Sequence, residues 1–190
     1  VISTQYLDED WNFDHSVVLQ RDLPVFIEHF YEEQVRDIEN SPNIRILFNT
    51  HWNIASTTIK FDLNTLSATE TMLVANLYIY WAPNNDSNLY NQTAVLRLYQ
   101  IVNISGSSNE TELLQNPDVH KLSNVIYASK AQKGWQTFKI TKTISNWLAG
   151  EDNMGLLLTV SRYDSKEFIE IFNDTCSGLY GTFVAVKVKS

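Results

Sequence analysis

Two periodicities divide this chain. Between Leu23 and Ile38, apolar residues recur as Leu23, Phe26, Ile27, Phe30, Tyr31, Val35 and Ile38. Spacings of three and four place these side chains along one face of an amphipathic helix. Asp22 is suited to cap that helix, Pro24 to occupy its first turn, and Ser41-Pro42 to stop it. From Asn43 onward the period drops to two. NIRILFN, TTIKFDL, TMLVANLYIYWA, AVLRLYQIV, NVIYAS, WQTFKI, MGLLLTVSR, KEFIEIF and TFVAVKV alternate or run apolar and are rich in β-branched and aromatic residues. They read as about nine strands. Ile59, Phe61 and Leu63 fall on one face of their strand, and Val184, Val186 and Val188 oppose Phe183, Ala185 and Lys187 on theirs.

Turn residues separate these runs, as at Pro83-Asn84-Asn85, Ser105-Gly106-Ser107 and Ser177-Gly178. Two short helices interrupt them. In TKTISNWLAGEDN, Thr141 is placed to cap, Ile144, Trp147 and Leu148 form a stripe, and Gly150 closes the end. The second is NETELLQNPDV, which ends before Pro117. The pattern therefore predicts a mainly β fold: an antiparallel β-sandwich over residues 43–190, with one or two short helices. An acidic arm and the amphipathic helix precede it over residues 1–42. The first 23 residues have no clear period and read as an extended arm.

Charge sharpens that division. Residues 1–40 hold ten acids and two bases, a balance of −8, and the other 150 residues hold twelve of each. The whole formal charge of −8 therefore sits in the first fifth of the chain. No basic face is available to neutralise phosphates, which argues against nucleic-acid binding. The longest apolar runs are a few residues, against the roughly 20 needed to span a bilayer, so no membrane insertion is expected. No signal peptide or lipidation pattern is visible at either end. An acidic segment of this kind is either a solvated arm or one that meets a basic partner. The apolar stripe beside it has two available seats: a partner surface, or the sandwich of its own chain.

Candidate chemistry is sparse. The lone cysteine, Cys176, excludes a disulfide within the chain and zinc sites built on paired cysteines. It lies in the turn-rich NDTCSGLYG, where exposure would suit an interchain disulfide. Five sequons, at Asn85, Asn91, Asn103, Asn109 and Asn173, suit N-glycosylation and a secreted, extracellular chain. His15, His29, His51 and His120 form no metal-binding spacing, and no nucleophile elbow, phosphate loop or calcium loop is present. Glu167 and Glu170 of KEFIEIF are the one carboxylate pair considered for a solvent-side cleft, but acids on a strand are far more often solvated than catalytic. The sequence thus predicts no enzyme, no cofactor and no metal. The five tryptophans admit a sugar-stacking platform at Trp52, Trp81 and Trp135. The plainer expectation is that Trp135, Phe138, Trp147 and the leucines of MGLLLTV share one core.

Ordered segments of this chain resemble the prodomains of the transforming growth factor β superfamily. GWQTFKITKTISNWLAGEDNMGLLLTV is similar to the family's signature run at Trp135, Phe138, Thr141, Trp147, Leu148, Gly155 and Leu156. STTIKFDLNTLSATETMLVANLYIY resembles its strand, Leu-x-x-Leu turn and following strand, through Ile59, Phe61, Leu63, Leu66, Leu73, Ala75, Leu77 and Tyr80. LPVFIEHFYEE looks like the second prodomain helix at Pro24, Phe26, Phe30 and Tyr31, and GTFVAVKVKS like the last arm strand of the bone morphogenetic protein branch. The resemblance spans residues 23–190. It implies a β-sandwich arm and a straitjacket-like helix lying over a growth-factor dimer. The implied role is to assist folding and dimerisation of a bone morphogenetic protein-like factor and to stay bound without covalent linkage, regulating signalling. Phe26, Ile27, Glu28, Phe30, Tyr31 and Glu32 are then the expected ligand contacts. A second prodomain, joined through Cys176, or an extracellular matrix protein are further candidate partners. The chain holds no Arg-x-x-Arg and no Arg-Gly-Asp. A carbohydrate-binding or lectin-like sandwich is the alternative reading.

Overall fold

The computed structural model describes residues 43–53, 55–67, 69–82, 93–130, 133–161 and 181–189. The helix expected over residues 23–38, the arm before it and the strand expected at KEFIEIF lie outside the described residues. The described strands are β1 (Asn43–Asn53), β2 (Thr58–Phe61), β3 (Thr71–Trp81), β4 (Thr93–Gln100), β5 (Lys121–Ser129), β6 (Gly134–Lys139), β7 (Leu156–Ser161) and β8 (Phe183–Lys189). Two short helices, α1 (Glu110–Gln115) and α2 (Thr141–Leu148), and a 3-10 turn (Pro117–Val119) lie among them.

All the pairings are antiparallel, in the order β5-β4-β7-β2-β1-β8-β3-β6. The mainly β, antiparallel expectation holds, with one refinement: its two layers are halves of one continuous sheet. β1 joins them. Its residues Asn43–Phe48 pair with β8, and Asn49–Asn53 pair with β2 across a register break between Asn49 and His51. An irregularity of this kind bends a strand and increases its twist, which lets one strand serve both layers.

The inner faces of both halves share one core. Leu47, Leu77, Phe138 and Val184 come from one side, and Ile59, Phe61, Leu96 and Leu158 from the other. Each is buried, and each such side chain contributes about 1.5–3 kcal/mol of gross burial energy. The alternation read at Ile59, Phe61 and Leu63 holds, with Leu63 packed at the margin. Bonds also tie the two ends of the sheet together. Trp81 Nε1 donates to the Ser129 carbonyl at 2.9 Å, and Asn124 Nδ2 donates to the Lys139 carbonyl at 3.1 Å.

The helix ends show where local pattern is overridden. Ile140, not Thr141, occupies the cap position of α2, and no side-chain capping bond forms. The Thr141 hydroxyl instead accepts the Ala75 N–H at 3.1 Å. The C-terminal expectation holds: Gly150 has φ +105° and donates its N–H to the Trp147 carbonyl. Leu148 departs from the expected stripe. It is exposed, and Thr143 is buried beside Ile144 and Trp147 in its place.

Candidate interaction surfaces

The run Gly134–Leu158 organises one corner of the sandwich, and most of its singular residues have a physical task. Phe138 and Leu156 are fully buried in the central core. Thr141 joins the start of α2 to Ala75 of β3, reinforced by the Ile140 N–H donating to the Ala75 carbonyl at 2.9 Å. Trp147 fills the core beneath α2. Gly155 has φ +96°, and a Cβ there would lie 2.7 Å from the Ile59 carbonyl oxygen. Only glycine permits β2 and β7 to approach so closely. Asn153 locks the same turn by donating from Nδ2 to the Phe61 carbonyl at 2.8 Å. The Leu63-x-x-Leu66 turn closes through Leu66 N–H to the Leu63 carbonyl at 2.9 Å, with Leu66 in the core. Leu73 is displaced to an exposed position by a register break between Met72 and Val74.

Trp135 lies elsewhere than expected. It faces away from Phe138 and the central core, on the outer side of β6. There it meets Phe183 edge-on (ring centroids 5.4 Å, 69°) and Tyr80 likewise (5.4 Å, 72°). Tyr78 stacks on Phe183 at 5.1 Å and 15°. Such pairs contribute roughly 0.5–1.5 kcal/mol each beyond area burial. The physical reason is register: Tyr80 pairs with Trp135 and Tyr78 with Phe183, so all four project to the same side. Tyr78 is 3% exposed and Phe183 5%, and burial raises the Tyr78 hydroxyl pKa above its ordinary value despite a bond with Asn76. The alternation in ANLYIYW and FVAVKV carried the signal for this second apolar face.

The other half presents a different outer face. Val95, Arg97 and Tyr99 of β4 alternate with the buried Ala94, Leu96 and Leu98. Beside them Leu122 and Tyr127 of β5 are exposed, Tyr127 at 72%. Arg97 is held to the Ser161 hydroxyl. The eight described strands share one electrostatic property. They carry seven cations (Arg45, Lys60, Arg97, Lys121, Lys139, Lys187 and Lys189) and no Asp or Glu. The described acids sit on turns, short helices and their flanks, such as Asp62, Glu70, Glu110 and Glu151. Two form ion pairs with strand cations: Arg45 with Glu70, and Lys121 with Glu151 at 2.9 Å.

Phe26, Ile27, Glu28, Phe30, Tyr31 and Glu32, the sequons at Asn85, Asn91 and Asn173, and Cys176 all lie outside the described residues. Asn103 and Asn109 are exposed. Asn103 Nδ2 donates to Asp152 at 2.8 Å, and its Oδ1 accepts the Ser105 N–H. Asn109 precedes α1 without a side-chain capping bond. His120 is a structural clamp: its Nδ1 accepts the Val102 N–H and its Nε2 bonds the Leu114 carbonyl at 3.0 Å.

The family described as TGF-beta propeptide matches residues 22–172, most of the chain and the whole of the corner just described. The chain belongs to that family. No curated protein matches the chain. As a TGF-beta propeptide it is the prodomain of a growth factor, and the family's precursors are secreted. Its partner class is the mature growth factor. Among the described residues, no helix of this TGF-beta propeptide is long and apolar enough to cross a membrane.

Proposed function

We propose that this prodomain serves a bone morphogenetic protein-like growth factor. It assists folding and dimerisation of the mature factor, has no catalytic role, and then remains bound without covalent linkage to regulate signalling. The family match over residues 22–172 carries this reading. The terminal strand FVAVKV, whose valines line the core while Phe183 and Ala185 line the outer face, is the element similar to the bone morphogenetic protein branch. The acidic segment supports a basic partner surface, with Glu28 and Glu32 as its contacts, because opposite fields steer association. Glycans at the five sequons and an interchain bond through Cys176 complete the proposal for a secreted chain.

The carbohydrate-binding alternative loses its platform. Of its three tryptophans, Trp81 is 1% exposed and Trp135 is engaged in the aromatic cluster, which leaves Trp52 alone at 36%.

The test is a binding titration of this chain against immobilised bone morphogenetic protein-type and activin-type dimers at physiological salt. Submicromolar binding to the first class, weakened by added salt, is the expected result. Binding confined to activin-type dimers overturns the branch assignment. No binding to either overturns the function.

A further inference from the structure

His120 ends a stretch of chain that has no buried side chain of its own. Ile101 before the stretch is 1% exposed and His120 after it 9%, yet no residue from Val102 to Val119 is buried. The stretch contains α1 and the 3-10 turn. Among the described residues, two hydrogen bonds anchor α1 sideways. His120 Nε2 bonds the Leu114 carbonyl at 3.0 Å, and Gln115 Nε2 bonds the Ala55 carbonyl at 3.4 Å, a long and exposed contact. A helix of six residues does not persist in water without such support. We propose that residues 103–119 form a pH-released strap, docked by neutral His120 and let go when that imidazole gains a second proton.

The two bonds fix the protonation state of the ring. The Leu114 carbonyl only accepts, so Nε2 carries a hydrogen. The Val102 N–H only donates, at 3.4 Å, so Nδ1 is bare. A second proton on Nδ1 would point at the Val102 hydrogen, and the clamp excludes it. Once the strap lifts, the ring meets water and takes the proton, so acid favours the lifted state. A solvated histidine gains its proton near pH 6.5, which makes lifting about tenfold more frequent at pH 5.5 than at pH 7.4.

The charged groups on the neighbouring elements leave that window to His120. Lys121 pairs with Glu151 at 2.9 Å, and this bond, with Gln100 and Lys142 nearby, holds the Glu151 carboxyl below its ordinary range. Asp152 accepts from Asn103 at 2.8 Å, and Glu110 accepts the Gly106 N–H at 2.8 Å. Glu112 and Asp118 are exposed. None of these groups bonds the imidazole, whose described partners are Val102 and Leu114. Carboxylates lose their charge mostly below about pH 5. His51, the other histidine among the described residues, is exposed on β1.

This switch does not depend on which growth factor is bound, so its test uses the full chain alone. Backbone hydrogen exchange is measured at pH 7.4 and pH 5.5, each rate divided by the intrinsic rate at that pH. The N–H groups of Val102, Leu113 and Asn116 bond His120, Asn109 and Leu113. Their protection should fall about tenfold in acid. Leu96 and Val184 in the central core should change less than about twofold. A chain carrying His15→Gln, His29→Gln and His51→Gln keeps His120 as its sole histidine and should retain the tenfold fall. His120→Gln can still donate to the Leu114 carbonyl but does not titrate, so its protection should be the same at both pH values. A fall under about twofold in the parent chain overturns the proposal. So does a fall that survives His120→Gln, one that vanishes in the triple variant, or one that reaches the central core equally, which is general unfolding. Where His120→Gln fails to fold, the triple variant decides alone.

Discussion

The α-carbon of Gly155 lies directly against the carbonyl of Ile59, so closely that a Cβ would stand 2.7 Å from that oxygen. The contact draws β7 against β2, where Ile59 pairs with Leu156. The oxygen is backbone and cannot swing away. Gly155→Ala therefore meets both a steric clash and the cost of φ +96° for an L side chain. A loss of about 2–4 kcal/mol is expected, measured by denaturant titration. A loss under about 0.5 kcal/mol would mean that β2 and β7 can separate freely, since surface changes have effects of that size.

Two buried tryptophans differ in one hydrogen bond. Trp81 Nε1 donates to the Ser129 carbonyl, whereas Trp147 Nε1 has no hydrogen-bond partner among the described residues. Replacement by phenylalanine leaves a cavity at either site. Only Trp81→Phe also removes a bond joining the two ends of the sheet. It should cost about 1–2 kcal/mol more than Trp147→Phe, a difference readable from the midpoints of paired denaturant curves. Equal losses would assign no net worth to the Trp81–Ser129 bond.

Glu151 has a pKa below the ordinary carboxylate value because Lys121, and then Gln100, bond its oxygen. A carboxylate with a depressed folded pKa adds stability above its unfolded pKa and loses it as pH falls through the folded one. Lys121→Met should therefore lower the melting temperature slightly at pH 7 and leave it unchanged well below that range. Salt should erase the difference, because the pair is exposed. A gap between variant and parent that persisted in strong acid would show that Lys121 acts through packing instead.

The sequence carried the layers of this fold further than their connection. Alternation was enough to put Val184, Val186 and Val188 on one side and Phe183 and Ala185 on the other, because period two follows from the backbone itself. It was not enough for Trp135. Its side was decided by pairing with Tyr80, more than fifty residues away. Thr141 shows the same limit: its local pattern is that of a cap, yet its hydroxyl serves Ala75 on a distant strand. Local chemistry ranks the partners within reach of a few residues, and tertiary contact then offers a better one. The use of β1 by both layers was equally hidden, since nothing in NIRILFNTHWN marks the break after Asn49. Of the candidate site, the cationic character of the strands was present in the sequence but became visible only once their boundaries were known.

The pairing of Asn43 with Val188 has a mechanical consequence. The chain enters β1 and leaves β8 at the same end of adjacent strands. Tension applied between the segment before Asn43 and the segment after Lys189 pulls that ladder open like a zipper, loading one pair of hydrogen bonds at a time. Strands pulled lengthwise past each other would instead share the load across the whole ladder. A tether attached at these two points thus unfastens β1 from β8 at low force. The bend at Asn49 then marks where peeling halts, because beyond it β1 is held by β2.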